Sequence, residues 1–211
     1  MDERRTETGK TGDAVVSDER ERLILVDEQD TPLGFASKAA CHDGDGRLHR
    51  AFSLFVVNHD GYVLMQQRSP QKRLWPHYWS NSCCSHPRAG ESMDEAIHRR
   101  AAEELGITSR FTFLFKFTYH ARYGRVGAEH EVCSVFLGRS DDTVRCNRNE
   151  IASWSFVAPT ALTRLLSAYP HWFTPWFRME WQRIVNDHGD CLEASSDPRH
   201  VHTAETVRQE T

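Results

Sequence analysis

An Asp-Gly step at residues 60–61 restricts the fold of this chain more than any other local feature. It ends the turn Asn58-His59-Asp60-Gly61, where glycine supplies the positive φ that a tight hairpin requires. Apolar residues 51–57 and 62–68 flank the turn, so the spacing predicts two adjacent antiparallel strands. A second turn, Gly124-Arg125-Val126-Gly127, lies between strand-like segments 111–123 and 129–137. Shorter strand signals occur at 23–26, 79–85 and 154–157. Helix signals are equally specific. Ser92 and Glu95 form a capping box for a helix reaching Leu105, and Gly106 is its stop. Thr174-Pro175 sets an N-cap and first position for a helix running to about Val185. Strands interleaved with a few helices predict an α/β or α+β sandwich with a mixed sheet.

The chain has 211 residues, enough to bury a core without disulfide or metal staples. No uninterrupted apolar stretch is longer than the four residues seen at 54–57, far short of the roughly 20 a membrane helix needs, and no apolar export segment follows Met1. With 26 basic and 30 acidic residues, no overall positive field recruits nucleic acid. Six cysteines, two of them adjacent at 83 and 84, read as reduced thiols of a cytoplasmic protein. Residues 1–21 and 189–211 are polar and charged, which predicts two disordered tails around one domain at 22–188. Removing the tails is therefore expected to leave that domain intact.

Within the domain, chemistry-bearing residues cluster. Trp75 to Pro87 contains two tryptophans, two cysteines and two histidines. If 82–86 is extended, Cys84 and His86 share one face and Cys83 takes the other. Such a pair could be a nucleophile, a metal pair or a buried thiol beside a structural histidine. Glu129 and Glu131 likewise share one strand face, where two like charges must be solvated, share a proton or hold a cation. His42 and His49 flank a glycine-rich loop, and convergence of three histidines with two carboxylates would make a mixed N/O metal site. On the helix, Arg99/Glu103 and Arg100/Glu104 stand four apart and read as exposed ion pairs. Glu104 also shares a face with Ile97 and Ala101, which suits a carboxylate for a hard divalent ion held with phosphates. Lys38 could share a helical face with His42, and Arg68, Lys72 and Arg73 surround Ser69-Pro70.

The run Ser85-x5-Glu91-x7-Arg99-Arg100-x2-Glu103-Glu104-x-Gly106-Ile107 resembles a degenerate Nudix box, with Ser85 and Arg100 where Gly and Glu are usual. Together with Trp79–Pro87, Arg47–Ser53 and Glu129–Cys133, it resembles the type I isopentenyl-diphosphate isomerase family over about residues 22–185. The resemblance implies a single-domain Nudix-like α/β/α sandwich that interconverts isopentenyl and dimethylallyl diphosphate. It implies that His42, His49, His86, Glu129 and Glu131 hold a divalent ion, Mn²⁺, Mg²⁺ or Zn²⁺. Glu104 and the carbonyl of Cys84 would hold a Mg²⁺ arriving with the substrate diphosphate. Lys38, Arg68, Lys72 and Arg100 would face that diphosphate, and Trp176 would wall the reacting carbons. Cys84 and Glu131 would be the acid/base pair, aided by Tyr119, with nearby cations expected to favour the Cys84 thiolate. A monomer acting on a small molecule, away from membranes and nucleic acid, is expected. Two other readings compete: a Nudix hydrolase of nucleoside diphosphate derivatives, and a non-catalytic metal-binding module. The first predicts a full set of box carboxylates, and the second has no use for Cys84, Tyr119 or the phosphate cations.

Overall fold

The computed structural model describes residues 14–194. Nine strands form one mixed sheet: β1 Arg22–Val26, β2 Pro32–Ser37, β3 His49–Val57, β4 Val63–Arg68, β5 Trp79–Ser80, β6 Cys83–Ser85, β7 Phe111–Tyr123, β8 Gly127–Arg139 and β9 Ile151–Val157. The helices are α1 Lys38–His42, α2 Met93–Leu105, α3 Pro159–Ala168 and α4 Pro175–Asp187. Leu54, Val56 and Leu64 pack against Ile97, Ala101 and Leu105 of α2 on one face of the sheet. Phe55, Val57 and Val135 pack against Leu162 of α3 and Phe177, Trp181 and Ile184 of α4 on the other. Alternate residues of the same strand thus feed two cores, as period-2 geometry requires. The result is the three-layer α/β/α arrangement expected from the sequence.

The Asp60-Gly61 turn forms, with Gly61 at φ +80°, but the hairpin differs from its expected length. β3 and β4 pair only at Val56↔Leu64 and Val57↔Val63. Below that point they part. β3 pairs with β6 (Ser53↔Cys84) and runs parallel to β8 (His49↔Glu131), while β4 pairs with β5 and β9. The expected strand at 79–85 is accordingly split, because Asn81 and Ser82 fill the fork. The Ser82 hydroxyl donates to the Leu64 carbonyl at 2.6 Å and accepts from the Val56 amide at 2.8 Å. Asn81 Nδ2 donates to the Leu54 carbonyl at 3.2 Å. Two polar side chains replace the missing strand ladder.

The capping box at Ser92/Glu95 and the left-handed Gly106 stop both form. Thr174 precedes α4 as expected, yet its hydroxyl bonds Ser80 Oγ at 2.9 Å instead of capping the helix. β2 and α3 carried no readable signal: β2 is largely exposed and begins with proline, and α3 has Ala158 as an uncapped N-cap. The expected disorder of residues 1–21 does not extend to 14–21. Backbone bonds tie Glu19 to Ala39 and Glu21 to Lys38, and Asn147 Nδ2 donates to the Ala14 carbonyl at 2.8 Å. At the other end, a 3-10 turn at Gly189–Leu192 buries Leu192. The remainder of both expected tails, 1–13 and 195–211, lies outside the described residues.

Ser82→Ala leaves a buried amide and a buried carbonyl unpaired in the fork. The expected loss is about 1–3 kcal/mol, read as a lower midpoint in thermal or urea unfolding; an unchanged midpoint contradicts this role for Ser82.

Candidate active site

Three strands and one short helix bring five side chains together below the fork. His42 comes from α1, His49 from β3, His86 from just after β6, and Glu129 and Glu131 from alternate positions of β8. One ligand-type atom from each lies within 4.8 Å of the others. The parallel register His49↔Glu131 places β3 and β8 side by side, and alternation turns His130 to the outer face, near His120. His42 Nδ1 and His49 Nδ1 each donate to a backbone carbonyl at 2.7 Å, of Lys38 and Arg47 respectively. A carbonyl only accepts, so both rings carry a proton on Nδ1 and turn Nε2 inward; against the effect of burial, Glu129 raises His42 above its ordinary range, where a metal ion would take the place of the Nε2 proton.

The electrostatics fit the same purpose. Burial and neighbouring imidazoles push His86 well below its ordinary range and His49 down to about 4, so both are neutral. Burial alone would raise Glu129, but the adjacent His42 overrides it and holds the carboxyl at about 2. Glu131 is pushed well up by burial and by Glu129 beside it. His49 Nε2 is buried and makes no hydrogen bond among the described residues, while Glu129 Oε2 lies 2.7 Å from His42 Nε2 as its ionic partner. Neutral imidazoles, crowded carboxylates and an orphaned inward nitrogen are a donor set suited to a divalent ion.

A cavity of about 290 Å³ opens beside this cluster. Lys38, Arg68, Lys72, Arg100, Tyr119 and Trp176 line it, as does Cys84. Strand alternation holds across β6: Cys84 and His86 face the cavity, whereas Cys83 is fully buried and its thiol donates to Glu104 Oε1 at 3.3 Å. The Tyr119 hydroxyl donates to Glu131 Oε2 at 2.7 Å. Cys84 Sγ donates to Asn81 Oδ1 at 2.7 Å and accepts from Trp176 Nε1 at 3.1 Å. Burial pushes this thiol up to about 12, with Glu180 adding to the rise and Arg68 only partly opposing it. The lowering expected at Cys84 was to come from nearby metal cations, which the protein's own charges do not replace.

The two helix pairs are not exposed. Arg100 and Glu104 are both 2% exposed and bonded to each other, and Arg99 grips Glu91 through two bonds of 2.6 and 2.8 Å. Glu104 lies outside the five-residue cluster and does not line the cavity; Arg100 and Cys83 engage its carboxylate. Glu150, which the sequence reading missed, pairs with Lys72 and lies 3.4 Å from Arg100. Burial would raise its carboxyl, but those two cations hold it at about 2. It sits in the polar run Asn147-Arg148-Asn149-Glu150, which reads as an ordinary loop. Also unread in the sequence was a strap over the cavity. Val15, Ser17 and Glu19 line it, the Val16 carbonyl accepts from Arg100 Nη1 at 2.7 Å, and Ser17 Oγ accepts from Lys38 Nζ. Backbone carbonyls carry no sequence signature.

A chain beginning at residue 21 loses the strap's bonds to Arg88, Arg100, Lys38 and Asn147. Charged hydrogen bonds contribute about 1.5–3 kcal/mol each, offset by ordering entropy, so a net loss on the order of 2 kcal/mol is expected. Calorimetry reads this as a melting temperature lower by several degrees. An unaltered melting temperature would show that the strap adds nothing to the fold.

The NUDIX domain model matches residues 47–181. The chain is 42% identical over 174 residues to isopentenyl-diphosphate Delta-isomerase 1 of Photorhabdus laumondii, a match spanning 82% of this chain and 99% of that protein. It is 36% identical to an isopentenyl-diphosphate Delta-isomerase of Paenarthrobacter aurescens, over 84% of this chain and 97% of the relative. Among solved structures, a Deinococcus radiodurans protein superposes with a TM-score of 0.65 at 25% identity, over 77% of this chain and 98% of its own. His49, Cys84, His86, Arg100, Glu129 and Glu131 of the site come from the motifs on which the family resemblance rested, and the matches run almost end to end of the relatives. This chain therefore belongs to the NUDIX family and, within it, to the isopentenyl-diphosphate Delta-isomerases.

Proposed function

We propose that this protein interconverts isopentenyl diphosphate and dimethylallyl diphosphate, supplying isoprenoid synthesis in the cytoplasm as a monomer. The observation that carries the reading is one cavity bordered by a thiol, a carboxylate–phenol pair and an indole, with cations around it. Cys84, Glu131 with Tyr119, and Trp176 all line that space. A hydrolase has no use for a buried thiol beside an aromatic wall, and the box position of a further carboxylate is held by Arg100. The relatives' names point the same way.

Moving an unactivated double bond needs a proton delivered to the terminal alkene carbon and another removed from C2. We assign delivery to Glu131, which borders the cavity and whose Oε2 accepts from Tyr119. Removal falls to Cys84. Turnover then leaves the proton on sulfur, matching a thiol that donates to Asn81. The pair shares one mobile proton, so the reverse reaction exchanges the roles. A tertiary cation between the two steps is shielded from water by the strap and faced by the Trp176 ring, which Trp75 holds edge-on at 5.1 Å.

Lys38, Arg68, Lys72 and Arg100 orient the diphosphate, whose binding fixes the remote alkene between acid and base. Arg68 is itself held by the Leu74 and Trp75 carbonyls and lies over Trp176 at 5.3 Å. His42, His49, His86, Glu129 and Glu131 would hold a divalent ion, whose charge would balance the buried carboxylates. Mg²⁺ or Mn²⁺ suits the oxygen-rich part of this set and Zn²⁺ its imidazoles. Glu104, with the Cys84 carbonyl, remains the proposed partner of a Mg²⁺ carried by the diphosphate, which requires its bond to Arg100 to yield.

Cys84→Ala should lower kcat by about 10²–10⁴-fold, with circular dichroism and metal content unchanged. Cys83→Ala should cost only about 1 kcal/mol in stability and leave turnover near that of the parent. The opposite pattern, an inactive Cys83→Ala and an active Cys84→Ala, would falsify the assignment.

A further inference from the structure

Glu180 is a carboxylic acid with no cation beside it, held in an apolar core next to the site. It lies on α4 one turn beyond Trp176, has no exposed surface, and shares the buried stripe of that helix with Phe177, Trp181 and Ile184. Its Oε1 accepts from the Cys133 thiol at 3.7 Å, and its Oε2 has no hydrogen-bond partner among the described residues. Such a group costs folding free energy that a leucine or methionine of similar size would avoid. Packing alone does not account for it.

Ser53 Oγ lies 3.5 Å from the same Cys133 sulfur that reaches Glu180, and its hydroxyl acts on the Glu180 carboxyl. Ser53 stands opposite Cys84 in the β3–β6 ladder, with Oγ 3.8 Å from Cys84 Sγ. Ser53 has one proton to give, either to Glu180 or to the Cys84 sulfur. A carboxyl that keeps its own proton donates to Ser53 Oγ and frees the serine proton for sulfur; an ionised one takes that proton instead. Burial pushes the Glu180 carboxyl up to about 8, so near neutral pH it is chiefly the donor.

We propose that Glu180 is a positioning residue for the Cys84 thiol, acting through the Ser53 hydroxyl. In its neutral form it turns Ser53 toward Cys84, supplying the sulfur with a hydrogen-bond donor besides Trp176 Nε1 when Cys84 gives up its proton. No group is transferred; the arrangement sets the direction of two hydrogen bonds. The proposal rests on Cys84 being the reacting thiol.

The test uses the full-length metal-loaded enzyme, isopentenyl diphosphate as substrate, and three substitutions. Glu180→Leu should lower kcat by about tenfold or more with KM within about twofold, while the melting temperature holds or rises. Glu180→Gln, whose amide can also donate to Ser53, should recover most of the lost rate. Ser53→Ala should reproduce the loss, and adding Glu180→Leu to it should cost less than about twofold more, because the two act in series. The proposal is overturned if Glu180→Leu turns over normally, if it melts markedly lower or fails to fold, if Glu180→Gln is as slow as Glu180→Leu, or if the losses at 53 and 180 multiply. Glu180→Met serves as a second apolar variant under the same criteria. Cys84→Ala measured alongside separates the two readings. An active Cys84→Ala defeats the assignment of the thiol, whereas an inactive one beside a normal Glu180→Leu defeats this proposal alone.

Discussion

Two buried carboxylates on one face of a central strand govern this structure. Glu129 and Glu131 are 7% and 6% exposed, close enough that both cannot stay ionised without positive charge between them. Of the three histidines around them, burial keeps His49 and His86 neutral, and only His42 is raised, by Glu129 beside it. The arrangement is therefore complete only around a cation, and it requires five donors from four separate segments to arrive together. Everything that fixes their arrival follows from this: the parallel β3–β8 register, the Nδ1 bonds that orient His42 and His49, and α1, whose last residue is a donor.

The parting of β3 from β4 supplies the other half of the site. A full hairpin would have left no place for β6, and β6 is the strand that presents Cys84 to the cavity and Cys83 to the core beneath α2. The same fork admits Asn81, which receives the Cys84 proton, and Ser53, which faces the sulfur from the opposite strand. α4 closes the arrangement by bringing Trp176 against the thiol and Glu180 behind it. Cys84 and Glu131 are thus set by the backbone, while Arg100, Lys72 and Glu150 form a buried charge network of their own.

Features with strict local periodicity were legible before the structure was known. Alternation assigned Cys84 and His86 to one face and paired Glu129 with Glu131, and the capping box and Gly106 bounded α2 to the residue. The forked hairpin was not legible, since strand pairing beyond a turn depends on competitors elsewhere in the chain. Nor was the strap, because Val16 acts through its carbonyl and offers no distinctive side chain. Of the two readings open for Arg100 and Glu104, the exposed ion pair fails because segments distant in sequence cover that face of α2, among them Val16 and Glu150. Glu180 was readable in principle: positions 176, 177, 180, 181 and 184 form one apolar stripe, and a carboxylate on that stripe is the anomaly.

The central claim is that this cavity moves a proton onto an alkene and leaves the diphosphate whole. Its most direct test is turnover of isopentenyl diphosphate in D₂O with Mg²⁺, followed by proton and phosphorus NMR. The account requires the terminal carbon to become a deuterium-bearing methyl group of dimethylallyl diphosphate, with both phosphorus signals still those of an intact diphosphate. Release of orthophosphate or of an isopentenyl monophosphate, with the double bond unmoved and no deuterium on carbon, would contradict it.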